Sequence, residues 1–261
     1  MIRLEQIRSF YPPVLAESPL HQKYILKEYL QLLMLDILAA TSYIRKIVLI
    51  GGTNLRLVKG IDRFSEDLDF DCKGLSRDEF MGMTDAILVY LQRSGWRVET
   101  RDKPNGNLAA FRRNLFFPEL LFDLGLSGYK EERFLIKVES EDQKFDYNPV
   151  MTKIKGCGFF FLFPVPDDRV LCAMKISALL SRQKGRDFYD AMFLLAQTAP
   201  DYGFLSARCG IRDLSELKAA VGTMLKTADL SNKVRDFEHL LFQKSNSRKI
   251  LLFKDFVDGI P

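Results

Sequence analysis

Histidine is scarce in this chain of 261 residues, with only His21 and His239, and none of its four cysteines forms a CxxC pair. Cys72, Cys157, Cys172 and Cys209 lie far apart, so the close ligand spacing of a zinc site is missing. Scattered cysteines read instead as free thiols in a reducing compartment. A secretory leader is not expected, because Arg3, Glu5 and Arg8 interrupt any apolar run at the start. The most apolar tract elsewhere, residues 159–163, is too short to cross a bilayer. A cytoplasmic protein without a membrane partner is the expectation. Internal repeats and low-complexity stretches are also missing. The 38 basic and 34 acidic residues leave a net charge of +4, an excess too mild to demand a nucleic-acid partner.

What remains is ordinary globular material, 47% hydrophobic and 28% charged, and long enough for one large domain or two small ones. Residues 18–44 carry apolar positions at three- and four-residue spacing (Ile25, Tyr29, Leu32, Leu33, Ile37, Ala40, Ile44) and predict a helix, with Ser18 as cap and Pro19 at its first position. An apolar strand at 47–50 follows, then a Gly-Gly turn, a short helical segment near 54–58, and a strand at 67–71. A helix is expected at 78–94, a half-buried strand at 96–101, a turn at Asn105-Gly106-Asn107, and strands at 108–115, 120–125 and 134–140. Together these predict an α/β (α+β) fold, a mixed sheet with flanking helices over residues 20–165. Pro164 and Pro166 mark a boundary, giving a domain at 1–165 and a helical region at 166–261. Helices are expected there at 167–181, 187–196, 214–226 and 231–243.

Chemistry concentrates between residues 47 and 71. Leu49-Ile50-Gly51-Gly52-Thr53 ends an apolar strand in a backbone that can approach a phosphate closely. Ser65-Glu66-Asp67-Leu68-Asp69-Phe70-Asp71 follows. In an extended chain, residues two apart share a face, so Asp67 and Asp69 emerge together, about 7 Å apart at the backbone. Such a pair suits a hard cation like Mg²⁺, which takes oxygen ligands and leaves room for substrate phosphates. Leu68 and Phe70 then face a core. A solvated acidic turn is the competing account of the same residues, and a tight strand-to-helix turn that of the glycines. If the carboxylates crowd a partly buried site, a cation or arginine is expected beside them.

With Arg63 and the following Asn54-Leu55-Arg56-Leu57, these segments resemble the polymerase-beta-like nucleotidyltransferase superfamily and, more narrowly, the AbiEii/AbiGii toxin family. A second block, Lys175-Ile176-Ser177-Ala178-Leu179-Leu180-Ser181-Arg182 leading into Gly185-Arg186-Asp187-Phe188-Tyr189-Asp190, is similar to that family's Lys followed by Arg-Asp-x-Tyr-Asp. The resemblance implies an Mg²⁺-dependent transfer of a nucleoside monophosphate from an NTP to an acceptor hydroxyl. It further implies a bacterial toxin–antitoxin or abortive-infection role, a cognate antitoxin, GTP or another NTP as substrate, and a tRNA 3′ end as acceptor.

The site residues follow from both lines. Asp67 and Asp69 are the metal ligands. Gly51, Gly52 and Thr53 offer N–H groups and a hydroxyl to the triphosphate, and Arg63 and Ser65 contact phosphate. The superfamily implies a third carboxylate acting as general base. Glu139 is the candidate and Asp123 its rival; Glu139 could instead pair with Lys137. Lys175, in an apolar helical stretch, matches the family's phosphate-binding lysine. Asp187 is preferred over Asp190 as a functional residue, although a helix-capping Asp187 is an alternative. Basic residues accumulate at Arg112-Arg113, at Lys153 with Lys155, and at Arg182 with Lys184 and Arg186; the last group, just before Asp187, either guides an RNA backbone toward the nucleotide or is an ordinary solvated loop. Two other functions keep the fold: a small-molecule nucleotidyltransferase of the antibiotic-modifying type, and a non-catalytic nucleotide-binding regulator.

Overall fold

Strands β1 (Ile47–Ile50), β2 (Leu68–Cys72), β3 (Glu99–Thr100), β4 (Phe111–Phe116) and β5 (Leu135–Glu141) form one sheet in the order β1-β2-β5-β4-β3. Only the β2–β5 pair is parallel; the others run antiparallel. Strands β6 (Val150–Gly156) and β7 (Phe159–Val165) make a separate antiparallel hairpin. The computed structural model describes residues 3–100 and 110–261. The expected turn at 105–107 and the ends of two expected strands lie outside the described residues.

The chain divides into two compact units. The first comprises Met1–Gly60, Phe64–Lys144 and Pro149–Val165, and holds both sheets. At its centre runs the Pro19–Ala39 helix, buried on nearly every side from His21 to Leu38. A helix hydrophobic all round belongs inside a protein, which is why its apolar positions do not form one clean stripe. It begins at Pro19 as expected, although the Ser18 side chain makes no capping bond. The chain then passes through a 3₁₀ turn at Ser42–Arg45 into β1. Strand alternation is strict where it matters: Leu68, Phe70, Val138 and Ser140 are buried on one face. Asp67, Asp69, Lys137 and Glu139 keep partial access to solvent on the other.

The second unit comprises Ile61–Arg63, Phe145–Asn148 and Pro166–Pro261. Its helices include Asp168–Arg182, Gly185–Leu195, Tyr202–Cys209 and Leu214–Leu225. Three start on aspartate caps, where Asp167, Asp201 and Asp213 accept the backbone N–H groups of Val170, Phe204 and Glu216. Phe188 packs edge-on against Phe253, ring centres 5.1 Å apart, and Phe145 similarly meets Phe204 at 5.2 Å.

Several local expectations need correction. Leu120–Asp123 is a short helix, not a strand, because a brief apolar run does not distinguish the two. No single helix spans 231–243: Leu230–Lys233 is one turn, followed by a 3₁₀ turn at Glu238–Leu240. Strand β6 and the Tyr202–Cys209 helix were not expected.

Candidate active site

Gly51 adopts φ +74°, a left-handed conformation that strongly favours glycine, and opens the Gly51–Leu57 helix directly after β1. Beside it, Asp69 pairs in register with Ile50 on one edge and Glu139 on the other. A Cβ added to Gly51 would lie 2.9 Å from the Asp69 Cβ and closer still to its carboxylate. The glycine is therefore required twice, by its backbone angle and by the acid leaning over it. Asp69 and the Gly-Gly turn are adjacent, as the motif spacing implied.

Asp67 reaches the same face two residues earlier. Its backbone carbonyl accepts the Thr53 hydroxyl at 2.5 Å and the Gln31 side-chain amide at 3.2 Å. Gln31 also reaches the Ser65 carbonyl at 3.4 Å. Two buried side chains thus tie the entry to β2 onto the central helix and the Gly51 helix. This corrects the role expected of Thr53, whose hydroxyl is fully buried and committed to Asp67. Ser65 is likewise buried. Gln31 was missed by sequence reasoning; its only signal is an amide within an otherwise apolar helical run.

Opposite β2, the parallel register sets Lys137 beside Asp67 and Glu139 beside Asp69. The Lys137 ammonium lies 3.1 Å from the Asp67 carboxylate and 2.8 Å from that of Glu139. Arg112, paired in register with Glu139 on β4, closes a second ion pair with it. Burial raises the Glu139 pKa, but hydrogen bonding and charge from Lys137, then Arg112, prevail and hold it below the ordinary carboxylate value. Burial lowers Lys137, yet Glu139 and Asp67 outweigh it and raise the lysine. A carboxylate held anionic by two cations is a poor proton acceptor near neutrality, so the general-base role expected of Glu139 gains no support here. Asp123 stands on the Leu120–Asp123 helix, exposed and paired with Arg97, so it does not line this face.

Among the described residues, no three His, Cys, Asp or Glu side chains close into a preformed metal cage. Asp67 and Glu139 nevertheless converge on a single cation, the Lys137 ammonium, with Asp69 alongside. That donor set fits an oxygen-preferring divalent ion, which commonly takes one or two carboxylates and completes its shell with water and phosphate.

The second sequence block folds within the second unit. Arg63 forks onto Asp190 with both contacts at 2.7 Å, and Lys175 reaches the same carboxylate at 2.8 Å. Side-chain exposures of 1%, 7% and 1% for Arg63, Lys175 and Asp190 leave the cluster inaccessible to solvent. Burial raises the Asp190 pKa, but the Arg63 and Lys175 charges prevail and hold it well below the usual range. Burial pushes Lys175 down, with Asp190 opposing and Arg63 adding to the shift. Arg63 and Lys175, both expected at phosphate, here share the Asp190 carboxylate in a buried ion cluster. Asp187 is also corrected: it accepts the Lys184 N–H at the start of the Gly185–Leu195 helix and binds Arg182 at 2.7 and 2.9 Å. Asp190, ranked second in the sequence, is the hub.

Residues 33–250 match the family described as nucleotidyl transferase AbiEii toxin, Type IV TA system. The chain belongs to this family. It is a nucleotidyltransferase, of a family that uses an NTP and a divalent metal and implies a cognate antitoxin. Among solved structures it is similar to MenT4, a nucleotidyltransferase toxin from Mycobacterium tuberculosis H37Rv, at 16% identity and TM-score 0.59, covering 100% of this chain and 91% of that one. It is also similar to JHP933 from Helicobacter pylori, at 19% identity and TM-score 0.55, covering 91% of each chain. At such identities these likenesses speak to the fold. No curated protein sequence matches the chain. No described helix is long and apolar enough to cross a membrane.

Proposed function

We propose that this toxin is an Mg²⁺-dependent enzyme that transfers a nucleoside monophosphate from an NTP to the 3′ hydroxyl of a tRNA, with residues 1–165 as its catalytic part and 166–261 as a helical domain. The observation that carries the reading is the shared face of β2 and β5, where Asp67, Asp69 and Glu139 gather beside the left-handed Gly51. Asp67 and Asp69 would hold the ion, with Glu139 supporting its charge. When bound, the ion neutralises the phosphates and polarises the reacting phosphorus. Gly51 and Gly52 present backbone N–H groups where the triphosphate would lie, and the absence of a Cβ keeps that approach open. The acceptor hydroxyl gives its proton to solvent and its oxygen bonds to the α-phosphorus as the bond to the β-phosphate oxygen breaks, releasing pyrophosphate. Gln31 and Thr53 position Asp67 by holding its backbone.

Of the basic groups in the sequence, Arg112 and Arg182 are held in ion pairs and Arg113 is buried. Lys153 and Lys155 stand exposed on β6, in register with exposed Leu162 and with Phe160, which is 67% exposed. Lysines interleaved with an aromatic suit a nucleic-acid strand. The test is incubation with Mg²⁺, each labelled NTP and total tRNA. Label on tRNA with release of pyrophosphate is expected. Nucleotide binding without transfer to any acceptor would refute the assignment.

A further inference from the structure

We propose that Lys137 is an internal counter-ion of the carboxylate cluster, displaced by the divalent cation and then available to the nucleotide's phosphates. The inference rests on the metal assignment above. The strand register leaves Lys137 little choice of neighbours: Asp67 lies within 3.1 Å just before β2, Glu139 follows two residues on, and Asn114 lies opposite on β4. Its ammonium bridges Asp67 and Glu139, while Arg112 serves Glu139 and Lys27 adds a more distant positive charge near Asp67. Clustered carboxylates in a partly buried site repel one another unless a cation stands among them. Lys137 supplies that charge from within the chain.

An ammonium and a divalent ion cannot use the same oxygen lone pairs. Mg²⁺ binds oxygen at about 2.1 Å and brings two positive charges, so a lysine bridging the same acids is both crowded and repelled. The lysine stem is flexible and carries a compact charge, so it can leave without disturbing β5. Once released, its backbone stays fixed on β5 beside the acids, with an incoming phosphate as the natural counter-charge of the ammonium. Arginine, with a planar fork that grips carboxylates in pairs, would be displaced less readily. The arrangement makes the free protein a weak metal binder.

The experiment is Mn²⁺ titration of the full chain without nucleotide, followed by electron paramagnetic resonance, for the unmodified protein, Lys137→Met, Lys137→Arg, Asp67→Asn and Asp69→Asn. Lys137→Met should bind Mn²⁺ about tenfold more tightly, the scale of one charged hydrogen-bonded partner removed. Lys137→Arg should show no gain. With saturating Mn²⁺, Lys137→Met should bind NTP several-fold more weakly. A Met variant that is folded by circular dichroism and gains no Mn²⁺ affinity overturns the proposal, as does an Arg variant that gains equally. If both Asn variants bind Mn²⁺ like the unmodified protein, the metal assignment itself has failed. If they lose Mn²⁺ while Lys137→Met gains nothing, only the counter-ion role has failed.

Discussion

The carboxylate of Asp69 lies directly over Gly51, so close that a methyl group at the glycine would strike it. Two neighbouring strands thereby deliver the Gly-Gly turn and the acid to one point.

Gly51→Ala should therefore fail twice. The left-handed backbone costs about 1–2 kcal/mol with a side chain present, and Asp69 must move. Denaturant titration should show that loss, and nucleotidyl transfer should fall by more than the stability change alone accounts for.

Asp67→Asn and Asp69→Asn should each reduce transfer by at least about 100-fold, as expected when charge stabilisation of several kcal/mol is removed. The fold should survive, because a neutral amide relieves repulsion among the acids. Transfer rates and thermal unfolding, measured side by side, check both halves; full activity in the two variants would sink the metal site.

The buried cluster should sort its members by partner number. Asp190→Asn removes the buried anion that Arg63 and Lys175 share and should cost about 3–5 kcal/mol. Lys175→Met leaves the Arg63 fork intact and should cost far less. The low pKa of Asp190 also has a sign: its stabilisation is complete above the ordinary carboxylate range and fades as pH falls below about 4. Acid titration of the unmodified protein should show this loss, and Asp190→Asn should lack that component.

Cys157 accepts or donates a 3.4 Å contact with Tyr11, whose hydroxyl also binds Glu28. Burial, chiefly, pushes its thiol up to about 11. The native protein should resist alkylation of Cys157 by iodoacetamide until strongly alkaline pH, whereas the urea-unfolded chain should label readily. Because the folded pKa is raised, the corresponding stability is lost as pH climbs from the ordinary thiol value toward 11. Mass spectrometry across pH reads the labelling directly.

Much of this carboxylate face was legible because strand alternation is a strict rule. Asp67 and Asp69 had to share a side, and Leu68 and Phe70 had to oppose them. Glu139 was legible for the same reason. The partners of these acids were harder to foresee, since register between β2, β5 and β4 decides whether Lys137 or Arg112 stands opposite. Helices gave weaker guidance. Asp187 and Asp190 share a face, but only packing determines which one turns toward Arg63 and Lys175. Gln31 could not be singled out, because its value lies in reaching two carbonyls more than thirty residues away.

Strand β2 is hydrogen-bonded along both edges, to β1 on one side and β5 on the other. That double clamp makes this acidic stretch intolerant of length change. Losing or gaining one residue within Leu68–Cys72 would swing leucine and phenylalanine to the outside and drive the acids into the hydrophobic interior. Natural variation in spacing should therefore accumulate before the strand and never within it.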